Sequence, residues 1–113
     1  MKSKKASVSH RERVIEELKR DPALAAEYLN VAAEGGDAQS YLLALRTVAE
    51  AQGMSKVAKA AGVPRESMYR ALSPNGNPRL STLTAVLKAA GLRMAVATNS
   101  RRKPAVLAAA KQN

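Results

Sequence analysis

Along most of this chain, apolar residues recur three and four positions apart, the spacing that stacks side chains on one face of an α-helix. Val14, Ile15 and Leu18 make the first such stripe, starting from about His10. Asp21-Pro22 ends it, because the aspartate can cap and the proline can open a following helix. Leu24, Ala25, Tyr28, Leu29 and Ala32 form the apolar face of that second helix, which stops at Gly35-Gly36. Asp37 is predicted to cap a third helix running to Gln52-Gly53, with Leu42, Leu45, Val48 and Ala49 facing inward.

Two short helical patterns then meet at Gly62. The first turns Val57, Ala58 and Ala61 inward and leaves Lys56, Lys59 and Ala60 outside. The second turns Val63, Met68, Ala71 and Leu72 inward and leaves Arg65, Glu66, Tyr69 and Arg70 outside. Gly62 can take the positive φ of a tight turn, and Pro64 stands where a first-turn proline loses no hydrogen bond. The spacing therefore predicts a helix-turn-helix with a basic second helix, although an ordinary αα-hairpin has the same pattern. Ser73-Pro-Asn-Gly-Asn-Pro78 reads as a loop with Arg79 at its exit. Ser81 is predicted to cap a last helix through Ala90, in which Leu83, Val86, Leu87 and Ala90 recur. Residues 92–98 alternate with period 2, which predicts a short β-strand. A lone strand needs a partner, so Leu92, Met94 and Val96 are candidate dimerisation residues, pairing with a second copy or with another protein.

The pattern thus predicts an all-α fold of five to six helices with a short C-terminal strand. The boundaries divide 1–9, a disordered basic tail, from 10–36, a helical extension. They set 37–98, a helix-turn-helix DNA-binding domain with its strand, apart from 99–113, a flexible basic tail. Phe and Trp are absent among 113 residues and Tyr occurs three times, so the core must come from Leu, Val, Met and Ala. The chain has no cysteine, which fits a reducing cytoplasm and excludes thiol chemistry. No apolar run reaches the ~20 residues of a membrane span, and the basic N-terminus lacks the apolar stretch of a signal peptide. The one histidine, His10, stands near the N-terminus, and no nucleophile, metal or phosphate-cradling motif accompanies it. An enzyme, a metal site and a cofactor are therefore not expected.

Charge sharpens this picture. Residues 1–50 carry eight basic and eight acidic side chains; residues 51–113 carry eleven basic and one acidic, Glu66. The whole excess of +10 lies in the half that holds the hairpin, and a polyanion is its natural partner. Residues 14–50 run the other way, with Glu16, Glu17, Asp21, Glu27, Glu34, Asp37 and Glu50 against Lys19, Arg20 and Arg46.

Certain stretches resemble a known family: Asp21-Pro-Ala-Leu-Ala-Ala-Glu-Tyr-Leu-Asn30, Glu34-Gly-Gly-Asp37, Leu43-Ala-Leu-Arg46 and Met54-Ser-Lys-Val-Ala-Lys59. Arg65-Glu-Ser-Met-Tyr-Arg-Ala-Leu-Ser73, Gly76-Asn-Pro78, Leu80-Ser-Thr-Leu83 and Gly91-Leu-Arg93 extend the likeness. From about Val14 to Val96 the chain resembles the addiction-module antidote proteins, HigA-like antitoxins with an XRE-type, λ-repressor-like helix-turn-helix. The resemblance implies an antitoxin that neutralises a RelE/HigB-like toxin and represses its own operon as a homodimer on palindromic double-stranded DNA. It departs at Pro64, where the family often has a serine cap, and in the C-terminal tail, which matches no family pattern. Carried over from helix-turn-helix repressors, base contacts fall on Arg65, Glu66, Tyr69 and Arg70. Phosphate contacts fall on Lys56, Lys59, Ser67 and Arg79.

Two residues keep two readings. Glu66 either accepts from cytosine or pairs with Arg70, and Tyr69 either meets a thymine methyl or props the helix. For the toxin, Glu16, Glu17 and Glu27 offer carboxylates to a basic partner, with Tyr28 or Tyr41 as anchor; the alternative is that these carboxylates cap helices and meet solvent. A stand-alone phage-type repressor and a helical protein-interaction module also fit the sequence.

Overall fold

A computed structural model describes residues 9–99, so the basic tails predicted for 1–8 and 100–113 lie outside the described residues. Among the described residues six helices follow one another: α1 (His10–Arg20), α2 (Pro22–Glu34), α3 (Ala38–Gln52), α4 (Met54–Ala61), α5 (Arg65–Ala71) and α6 (Leu80–Ala89). Each early boundary has a local cause. Ser9 and Glu12 form a reciprocal capping box, hydroxyl to backbone at 3.0 Å and carboxylate to backbone at 3.2 Å. The Asp21 carboxylate accepts from the N–H groups of Ala23 and Leu24, and Pro22 opens α2.

Asp37 caps α3 by accepting from the Ser40 hydroxyl at 2.7 Å and the Gln39 N–H at 3.2 Å. The Ser40 hydroxyl first, and then the backbone N–H of Gln39, hold the Asp37 carboxyl below its ordinary value of 3.8. The stability this adds is complete above 3.8 and is lost as pH falls through the lowered value. An NMR titration of the Asp37 carboxyl is expected to give a midpoint below 3.8, and one above it would contradict the cap.

α3 is the central element. It packs against α1 and α2 on one side and against α4 and α6 on the other. Leu18, Leu45, Val48, Val57, Met68, Leu72 and Val86 are all but sealed from solvent, and they draw on every helix except α2. α2 joins through Ala25 and Leu29. Each fully buried leucine or methionine contributes about 1.5–3 kcal/mol over its exposed state. As expected from composition, no aromatic ring is fully buried, and Ala25, Ala44, Ala49 and Ala58 let the helices approach closely.

Two expectations are corrected. α6 starts at Leu80 with Arg79 at its N-cap and no side-chain cap bond, so Ser81 lies inside the first turn and is exposed. There is also no strand at 92–98, nor anywhere among the described residues. Leu92 is half-buried against the core, whereas Met94 and Val96 are exposed, Val96 almost completely. Alternation marks a chain with two unlike faces, but a strand exists only where a second strand supplies a hydrogen-bonded ladder. Among the described residues no second strand supplies it.

Candidate functional site

α4 and α5 form a tight hairpin. Gly62 ends α4 in the left-handed region with φ 72°, and the Val63 N–H reaches back to the Ala58 carbonyl at 3.0 Å, as in a Schellman stop. Pro64 occupies the N-cap of α5 itself, where no N–H is needed, and its carbonyl accepts from Ser67 and Met68. Val57, Ala58, Met68 and Leu72 seat the hairpin on the core. Lys56 and Lys59 of α4 are exposed, as are Arg65, Glu66 and Arg70 of α5, while Ser67 and Tyr69 are half-buried. Two adjoining helices thus present four cations and one carboxylate to solvent.

The loop after α5 is fixed by Gly76. A Cβ there would lie 2.0 Å from the Ala71 carbonyl oxygen and 2.7 Å from that of Arg70. Both are backbone atoms, so the loop would have to move off the end of α5. Gly76→Ala is expected to cost about 1–3 kcal/mol, as other overpacked sites do, read as a lowered urea midpoint. An unchanged midpoint would contradict the packing. The loop leads to Arg79, which is exposed at the start of α6, a helix packed on α4.

Glu66 and Tyr69, the two residues with two readings, differ in their surroundings. Glu66 makes no ion pair among the described residues; instead the Arg70 Nη2 donates to the Ser67 Oγ at 3.3 Å. The Tyr69 ring lies between two guanidinium groups, Arg46 at 5.4 Å and Arg65 at 5.7 Å from its centroid. Arg46 in turn sits 3.5 Å from the Glu50 carboxylate, which also pairs with Arg11, and Arg11 donates to Thr47 at 3.2 Å. A polar chain therefore runs from α1 across α3 to the exposed face of α5. Arg46–Glu50 is visible as an i, i+4 pair, but nothing local in the sequence announces Arg11 or the stack on Tyr69. Exposed contacts of these kinds are each worth about 1 kcal/mol or less, so they orient Arg65 more than they stabilise the fold.

The residues considered for a protein partner do not share one surface. Glu16 and Glu17 are exposed on α1, with Glu16 paired to Arg20 at 3.6 Å. Glu27 and Tyr28 line a groove of about 370 Å³ between α2 and α3, together with Leu24, Val31 and Leu43. Tyr41 lines another groove of about 620 Å³ with Leu29 and Leu87, and Leu92, Met94 and Val96 complete that lining. Val31 and Leu43, 61 % and 49 % exposed, fall outside the inward stripes and were not among the sequence candidates.

Fold and hairpin together define a small all-helical domain with a basic helical hairpin on its surface. A family model described as "Probable addiction module antidote protein" matches residues 11–98. The chain belongs to this family of addiction-module antidotes. An uncharacterized protein of Haemophilus influenzae is 41 % identical over 69 residues, which span 61 % of this chain and 71 % of that protein. No solved structure gives a significant match. Among the described residues, no helix is long and apolar enough to cross a membrane.

Proposed function

We propose that this antidote has two binding activities: it neutralises a RelE/HigB-like toxin, and it represses its own operon through a λ-repressor-like helix-turn-helix. The observation that carries the DNA half is the solvent exposure of Arg65, Glu66 and Arg70 on a helix whose hairpin partner exposes Lys56 and Lys59. In this reading α5 enters the major groove, where Arg65 and Arg70 can each bond bidentately to guanine and Glu66, free of Arg70, can accept from cytosine. Lys56, Lys59 and Arg79 neutralise phosphates, which gives affinity and salt dependence without sequence choice. Half-buried Tyr69 serves mainly to hold Arg65, and Ser67 to hold Arg70.

One hairpin reads few base pairs, so a homodimer on a palindromic operator completes the reading. Leu92, Met94 and Val96, which form no strand ladder among the described residues, are its proposed contact. The chain works in the cytoplasm by binding alone and catalyses nothing.

The test is to express the chain with the toxin encoded beside it, following growth and a reporter driven by the module's promoter. Restored growth with a repressed reporter is the expected result. Repression without rescue would make the chain a stand-alone repressor, and rescue without repression would remove the DNA half.

A further inference from the structure

We propose that the groove between α2 and α3 is the toxin-docking surface, and that its occupant is an apolar side chain of the toxin flanked by lysine or arginine. This rests on the antidote reading above and deepens it. Leu24, Tyr28, Val31 and Leu43 give the groove an apolar lining, and the only charged residue lining it is Glu27. Val31 is 61 % exposed and Leu43 49 %, two large apolar side chains that line the same groove from adjoining helices. Single exposed apolar residues are ordinary, but a paired set around a concavity is the form of a contact site.

The charges around it specify the partner. Glu27, Val31 and Glu34 fall at i, i+4 and i+7 on α2, so carboxylates precede and follow the exposed valine along one helix face. Both glutamates are exposed and neither enters an ion pair among the described residues. The ionised Asp37 stands at the start of α3, bonded to the groove residue Ser40. A cationic flank on the occupant would meet three carboxylates, while DNA is repelled from this face and drawn to the hairpin. No residue of α5 lines the groove, so the proposal places toxin and operator on different elements.

The experiment uses the full chain, the toxin encoded beside it, and a titration of one against the other at two salt concentrations. Val31→Asp with Leu43→Asp is expected to weaken binding about thirtyfold or more, the scale of a lost interface anchor. Glu27→Lys, which touches no core contact, is expected to weaken binding more at low salt than at high salt. Lys88→Ala, at an exposed residue of α6 that does not line the groove, is expected to leave toxin affinity unchanged. Wild-type binding that all the groove variants retain would overturn the groove and leave the antidote reading standing. Failure of the wild-type chain to bind the toxin would overturn both. Groove variants that bind the toxin normally but no longer self-associate, or that release residues 100–113 from the domain, would assign the groove to a second copy or to that segment and overturn the proposal.

Discussion

Arg70→Ala is expected to cost about 1–3 kcal/mol on the chain's own operator, roughly 5- to 150-fold, and far less on random duplex. Its guanidinium is exposed and, among the described residues, donates only to Ser67, a 3.3 Å bond that uses one of five N–H donors. The remaining donors are available to a base edge at no cost to the fold. Lys59→Ala should behave differently. Lys59 is exposed on α4, which crosses the backbone in this docking, so its loss should weaken operator and random duplex alike and lower the salt slope by about one. Fluorescence anisotropy on both duplexes across a salt series separates the two. Equal losses on operator and random DNA for Arg70→Ala would contradict a base-reading role.

The larger structural effect is expected from Met68→Ala. Met68 is wholly buried and is the one fully buried residue within α5, a helix of seven residues. A helix that short does not persist alone in water, so α5 exists because Met68, with Leu72 just beyond it, is seated on the core. Truncating such a side chain costs about 2–5 kcal/mol, a large part of the 5–15 kcal/mol available to a small domain. A urea denaturation midpoint lowered accordingly is the expected result. Arg70→Ala, on the same helix but facing out, should stay within about 0.5 kcal/mol of wild type. If the two variants were equally stable, the assignment of inward and outward faces on α5 would be wrong.

The helices were legible because their causes are local. Ser9, Asp21-Pro22, Asp37, Gly53 and Gly62 stop or start helices through caps and φ angles that need no tertiary information. The three- and four-residue spacing that predicted Leu18, Leu45, Val48, Val57 and Met68 as core is the same spacing that buries them. One boundary slipped: Ser81 was favoured as the cap by residue type, but the N-cap of α6 is Arg79, two residues earlier. The strand at 92–98 failed for a different reason, since pairing is a property of two strands and alternation a property of one.

The site was legible in part. Lys56, Lys59, Arg65, Glu66 and Arg70 are exposed as the helical pattern predicted. Tyr69 is not, because Arg46 from α3 covers one side of its ring, and a contact across 23 positions leaves no mark in local periodicity. The same holds for Arg11 and Glu50, paired across 39 positions. Val31 and Leu43 were not among the sequence candidates, and only the adjoining of α2 and α3 brings them into one groove.

The most direct measurement is an NMR titration of the full chain with its own operator duplex, following backbone amides residue by residue. Shifts concentrated on Arg65 to Arg70, with smaller ones at Lys56, Lys59 and Arg79, are expected. Shifts confined to α1 and α2, with the α4–α5 hairpin unmoved, would contradict a DNA-reading role for that hairpin.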